Sequence, residues 1–171
     1  MVHIYYGDGK GKTTAAIGLA VRAAGSRMKV LFVQFLKTEF SGERHTLSHT
    51  ENISLTFCPI ELNFTYNMSD EEKAHAAIMF RKIFDDSVTK ALTQKFDMIV
   101  LDEIFSAIEA GMISEGEVHD FVSNAPKNME IVLTGHNPSE RMLDLADYIT
   151  EMKKIRHPYD KGVQARFGVE F

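Results

Sequence analysis

Cysteine is nearly missing from this chain. Cys58 is the only one, so no internal disulfide can form and a thiolate metal cluster lacks its ligands. It sits in the apolar run Leu55-Thr56-Phe57-Cys58, which suits a small buried residue. Long hydrophobic runs are missing too: none approaches the roughly 18 residues that span a bilayer. No signal peptide precedes the first β-rich run, so the expectation is a cytoplasmic protein without membrane contact. A basic excess is also absent. The formal net charge of −5 argues against non-specific nucleic-acid binding. Repeats, low-complexity stretches and linkers are lacking, and 171 residues suffice for one domain over 1–171. A chain of this size buries roughly two-thirds of its unfolded surface.

What is present begins with Gly7-Asp8-Gly9-Lys10-Gly11-Lys12-Thr13-Thr14. A short β-rich run, His3-Ile4-Tyr5-Tyr6, precedes it, and a small-residue, helix-forming stretch over 15–24 follows. Strand, glycine-rich loop and helix form the context in which Gly-Lys-Thr marks a phosphate cradle. Glycines let successive N–H groups converge without Cβ clashes, and the helix start adds unpaired donors and the positive dipole end. Lys12 is expected to reach the outer phosphates and the Thr13 hydroxyl to ligate Mg²⁺. The usual pattern wants a glycine five residues before Gly11, where this chain has Tyr6. The loop is one residue tighter than the common form.

Helices are expected over 12–24, ended by Gly25 as the residue after the cap, and from Ser69 to about Gln94. Ser69 and Glu72 make a capping box for the latter, and Ala74, Ala77, Ile78, Phe84, Val88 and Leu92 form its apolar stripe. Shorter helices fit 104–109, 114–124 and 139–146. Residues 37–50 read as a loop, with room for a short helix. Strands fit 28–36, 53–58, 96–101, 130–134 and 148–152. The alternation implies an α/β fold with a mostly parallel sheet and helices on both faces.

Ligands in such sheets sit at the carboxyl ends of strands. Asp102 and Glu103 lie there, behind Met98-Ile99-Val100-Leu101. An acidic pair beside a phosphate loop suits Mg²⁺, which needs only one or two carboxylates. The alternative is that Asp102 caps the next helix, and one carboxylate can cap while the other faces the metal. His45 and His49 are an i, i+4 pair only if their segment is helical, and a surface pair suits them better than a zinc site. The basic residues near the end (Lys153, Lys154, Arg156, His157, Lys161, Arg166) lack the interleaved aromatics of a base-stacking surface.

Taken together, GDGKGKTTAAIGLAVRAAG, VQFLKTEFSGER, Phe64-Thr65-Tyr66, VLDEI, VLTGHNP and the tail from His157 to Phe171 resemble the P-loop class of ATP:corrinoid adenosyltransferases. The likeness covers nearly the whole chain. It implies a P-loop NTPase (RecA-like) three-layer fold and transfer of the 5′-deoxyadenosyl group of ATP to the Co(I) of a corrinoid, with release of triphosphate. It implies Thr13 and Glu103 as metal contacts with Asp102 beside them, and a tail folded back near the nucleotide. Arg22 matches a family arginine, although a solvated helix face suits it equally. Phe64 and Tyr66 match the aromatics that close the corrinoid site and displace the lower axial ligand; packing of their loop is the alternative. Tyr66 stands where many relatives carry tryptophan, and its hydroxyl needs a partner if buried.

The resemblance also implies a homodimer and an external reductase for Co(II). Several relatives carry an amino-terminal arm over the corrinoid, whereas this chain opens on its first strand, so a more open site, or another element covering the corrinoid, is expected. Two other readings stay open: a P-loop nucleotide kinase, and a non-catalytic protein that binds or delivers adenosylcobalamin.

Overall fold

The computed structural model describes residues 1–37, 41–57 and 69–170. Cys58, the loop 61–68 with Phe64 and Tyr66, and Phe171 lie outside the described residues. The elements in order are β1 (Val2–Tyr6), α1 (Lys12–Gly25), β2 (Val30–Gln34), α2 (Glu43–Ser48), β3 (Ile53–Phe57), α3 (Asp70–Thr93) and β4 (Met98–Asp102). There follow α4 (Ile104–Glu109), α5 (Glu115–Asn124), β5 (Glu130–Gly135), α6 (Glu140–Leu143), β6 (Tyr148–Glu151) and a 3₁₀ turn, Pro158–Lys161.

The strands form one six-stranded sheet in the order β3-β2-β4-β5-β1-β6. Every pairing is parallel, which tightens the expected "mostly parallel" sheet. Alternation through the sheet sorts side chains onto two faces. Val30, Phe32, Met98, Val100 and Val132 meet the alanines of α1 (Ala16, Ala20, Ala23, Ala24). Ile4, Leu31, Val33, Ile99, Leu101, Ile131 and Leu133 meet the aromatics Phe80, Phe84, Phe105 and Phe121. Small residues on one side let α1 lie close to the sheet; large ones fill the thicker opposite layer. Tyr6 is level with Gly135 and Glu151, and Gln34 with Asp102. The first loop, the acidic pair and the exit of β6 therefore share one carboxyl edge.

Three sequence expectations shift. Gly25 closes α1 instead of following it. The left-handed residue is Arg27 (φ 65°), and Met28 and Arg27 donate to the Ala23 and Ala24 carbonyls in a Schellman arrangement. On α3 the buried stripe is Ala76, Phe80, Phe84, Ser87 and Ala91, while Ile78 is 68% and Leu92 42% exposed. The helix is oriented by its largest side chains: Phe80 stacks on Phe35 and Phe84 meets Phe121 edge-on. At 100° per residue Ile78 then lies roughly 160° from Phe80. The helix begun at Ser139 ends at Leu143, because Leu145 and Ala146 donate to residues three back and Asp147 then bonds Val2 on the sheet edge. The capping box at Ser69 and Glu72 is present as expected.

Candidate active site

The loop after β1 is fixed by the strand that ends beside it. Gly9 N–H donates to the Met152 carbonyl at 2.6 Å, Met152 N–H to Tyr6 at 2.7 Å, and Gly7 N–H to His136 at 3.1 Å. A Cβ at Gly7 or Gly9 would come 2.6 Å from the Met152 oxygen, closer than real Cβ contacts. Gly7 and Gly11 also take φ of 111° and 119°, where only glycine is comfortable. The glycines are thus required twice, by backbone shape and by backbone contact.

Lys12 starts α1 and is buried. Its ammonium donates to the carbonyls of Gly7 (2.8 Å) and Gly9 (2.9 Å), inside the cradle. Burial pushes its pKa down, while the carboxylates Glu103, Asp8 and Asp102 push it up. Asp8 is exposed and accepts the Lys154 backbone N–H at 2.9 Å; that bond holds its carboxyl below the ordinary range. It ties the loop to the start of the tail.

Asp102 is fully buried at the end of β4. It accepts from the Thr134 hydroxyl at 2.7 Å and from Gln34 Nε2 at 3.5 Å. Burial raises its pKa; the charge of Lys37 and hydrogen bonds from Thr134 and Thr13 act the other way. The alternative of Asp102 as helix cap is overturned. Its carboxylate faces Thr134 and Gln34, and the N-cap of α4 is Glu103, which makes no side-chain cap bond. Glu103 sits at φ 62°, a left-handed backbone rare outside glycine, held by its N–H bond to Thr134 Oγ1 at 2.9 Å. That turn directs the two adjacent carboxylates apart: Asp102 into the sheet, Glu103 to the cavity.

The cavity over this edge has a volume of about 610 Å³. Its floor is the segment from Lys10 to Thr14 with Glu103; one wall is Lys37 and Glu43. The carboxyl-terminal segment, Phe167 to Glu170, forms the roof. Lys10 meets Glu170 at 3.4 Å across the mouth, and Arg166 pairs with Glu170 at 3.0 Å. Those hydrogen bonds from Arg166 hold the Glu170 carboxyl down at about 2.

The structure thus gathers Gly7, Asp8, Gly9, Lys10, Gly11, Lys12, Thr13, Thr14, Asp102 and Glu103 at one edge. Phe64 and Tyr66 lie outside the described residues. Arg22 is exposed on α1, near enough to Tyr5 for its charge to lower that phenol's burial-raised pKa. The His45 and His49 rings lie 4.6 Å apart, tilted by 43°, with His49 Nδ1 turned to the His45 carbonyl at 2.7 Å. Gln34, Lys37, Glu43 and Thr134 were missed as individual residues. Gln34 carried a signal: a polar residue closing the apolar run VLFV and fully buried needs partners.

An all-parallel sheet with a glycine cradle after its first strand defines an α/β protein with a P-loop NTPase-like fold. Comparison with known proteins narrows the class. The profile of the family "ATP:corrinoid adenosyltransferase BtuR/CobO/CobP" matches residues 1–171, and the chain belongs to that family. It is 31% identical to the corrinoid adenosyltransferase of Escherichia coli (strain K12) over 172 residues, covering 100% of this chain and 85% of the relative. The corrinoid adenosyltransferase CobA of Salmonella typhimurium gives the same identity and coverage. A Sinorhizobium corrinoid adenosyltransferase is 32% identical over 173 residues, with 100% and 80% covered. No helix among the described residues is long and apolar enough to cross a membrane.

Proposed function

We propose that this protein transfers the 5′-deoxyadenosyl group of ATP to the Co(I) of a corrinoid and releases triphosphate. The observation that carries the reading is the roofed cavity of about 610 Å³ over a glycine cradle, in a chain of the adenosyltransferase family. The Co(I) electron pair attacks C5′, a cobalt–carbon bond forms, and the C5′–O5′ pair leaves with the triphosphate. Co(I) is already a strong nucleophile, so the protein needs no general base. Its task is to stabilise charge on the leaving group and to hold C5′ open to attack.

The loop's N–H groups beyond Gly9 are the donors for the phosphate chain, since those of Gly7 and Gly9 are taken by His136 and Met152. Lys12 turns from the Gly7 and Gly9 carbonyls toward the phosphates. Thr13 and Glu103 offer the hard oxygen donors that Mg²⁺ prefers, with Asp102 as the buried neighbour. The buried Asp102 carboxylate, costly to ionise, is a charge that a cation beside it would compensate. When bound, Mg²⁺ neutralises charge on the departing triphosphate. Phe64 and Tyr66 are assigned to closing the corrinoid site by the family resemblance alone. On the same reading the enzyme works in the cytoplasm as a homodimer, with Co(I) supplied by an external reductase.

Anaerobic incubation with ATP, Mg²⁺ and reduced corrinoid tests the reaction. A light-sensitive alkylcobalt spectrum with one triphosphate per turnover is expected. Production of ADP would point to a kinase, and corrinoid retained without turnover to a carrier. Phe64→Ala and Tyr66→Ala should impair turnover from Co(II) more than from pre-reduced Co(I); equal losses would make them packing residues.

A further inference from the structure

Lys37 and Glu43 line the same cavity as the cradle, and neither figures in the chemistry above. Their neighbourhood is built with care for charge. Glu43 Oε1 accepts from the Ser41 hydroxyl at 2.8 Å, from Gln34 Nε2 at 2.9 Å and from the Lys37 ammonium at 3.4 Å. Burial pushes the Glu43 carboxyl up, but these donors and its own backbone N–H hold it below the ordinary range. Gln34 is locked in turn, since its Oε1 accepts Arg44 Nε at 3.0 Å. The Lys37 carbonyl accepts Arg44 Nη2 at 3.2 Å. Leu36, just before it, is held at φ 51°, a left-handed conformation that a leucine adopts only under constraint.

The backbone of Lys37 is therefore fixed while its head group has the longest of three bonds to a shared oxygen. If that ammonium leaves, Glu43 keeps Ser41 and Gln34, so no buried acceptor is orphaned. The charge of Lys37 is felt at both Asp102 and Lys12, so the head group stands within electrostatic reach of the cradle. Two lysines, Lys12 and Lys37, then line one cavity. Each rests on protein oxygens that a more highly charged anion would outcompete.

We propose that Lys37 is a second triphosphate-binding cation, parked on Glu43 in the free protein and transferred to the phosphate chain when nucleotide binds. Glu43 is its positioning residue. The proposal rests on the adenosyltransferase reading, because it is the leaving triphosphate that needs a second positive charge.

The test is calorimetric titration of the full chain with ATP and with inorganic tripolyphosphate, each with Mg²⁺. Wild type, Lys37→Met, Lys37→Arg and Glu43→Gln are compared, with a melting curve for each. Lys37→Met keeps the aliphatic stem and should weaken tripolyphosphate about 10- to 100-fold. Lys37→Arg should recover most of that loss. Glu43→Gln should bind tripolyphosphate about threefold more tightly, since no carboxylate then competes for the lysine. Wild-type tripolyphosphate affinity in a folded Lys37→Met protein would overturn the proposal, leaving a structural ion pair. Equal weakening in Lys37→Met and Glu43→Gln would overturn it too. Failure of the wild type to bind either ligand would instead remove the functional reading beneath it.

Discussion

Floor and roof of the same cavity are built on different physics. The floor is backbone packed on backbone: Gly7 and Gly9 lie against Met152, Lys12 folds into the loop, and Asp102 is sealed in the sheet. The roof is an exposed segment held by ion pairs, Lys10–Glu170 and Arg166–Glu170, with Phe167 78% exposed. Exposed pairs contribute about 0–1 kcal/mol each, whereas removing a preorganised donor from a charge-stabilising site costs about 10²–10³ in rate. The floor should fix the phosphates before they arrive, and the roof should govern access.

The sharpest way to break this contrast is at Lys12. Lys12→Ala removes the floor's buried cation and leaves the Gly7 and Gly9 carbonyls without their donor. ATP binding should fall below detection and turnover by about 10²–10³-fold or more. An unchanged ATP affinity in titration would show that the loop does not hold the phosphates.

Gly9→Ala attacks the floor through shape alone. The added Cβ would lie 2.6 Å from the Met152 oxygen and 2.8 Å from its carbonyl carbon. Backbone cannot swing aside as a flexible side chain can, so the loop must separate from β6. A destabilisation of about 2 kcal/mol is expected, a fall of roughly 4–8 °C in melting temperature for a chain of this length, together with weaker ATP binding. The same substitution at the exposed Gly18, where a Cβ would meet nothing within 4 Å, should be neutral or slightly stabilising.

Much of the floor is legible in the sequence, because it is local: GDGKGKTT is one contiguous stretch and DE follows an apolar strand without a gap. What is not legible depends on strand order. Placing β1 between β5 and β6 brings Met152 and His136 to the loop. Nothing near Gly7 in the chain announces that its neighbours are more than a hundred residues away. The cap reading of Asp102 failed for the same reason: its partner Thr134 comes from the adjacent strand. The α3 stripe was misjudged because counting apolar residues weighs Ile78 and Phe80 alike, while packing does not.

The acidic pair separates stability from function within the floor. Burial raises the Asp102 pKa, so the folded state binds that proton more tightly than the unfolded chain. The ionised carboxylate therefore costs stability at neutral pH, and the cost fades as pH falls through the raised pKa. Asp102→Asn keeps an acceptor for Thr134 and removes the charge. It should stabilise the fold by about 1 kcal/mol at neutral pH, with the gain vanishing on acidification and turnover falling. Glu103→Gln, lining the cavity, should instead leave melting unchanged and raise the Mg²⁺ requirement. A lower melting temperature for Asp102→Asn would mean that its charge is already compensated within the protein.

The smallest effects belong to the roof. Glu170→Gln removes the partner of both Lys10 and Arg166, yet all three side chains meet water. Melting should barely move, as for other solvent-screened pairs, and the change should appear as a modest rise in KM for ATP with kcat kept. Proton linkage gives an independent handle. The Glu170 carboxyl is held at about 2, and it accepts the Arg166 backbone N–H at 2.8 Å. Since the folded value lies below the ordinary one, its contribution is complete above the usual glutamate range and is lost as pH falls toward about 2. The Arg166 amide resonance should report that low midpoint directly. A midpoint near the ordinary value would mean that the Arg166–Glu170 pair within the tail does not persist, and the tail would then take this shape only when nucleotide lies beneath it.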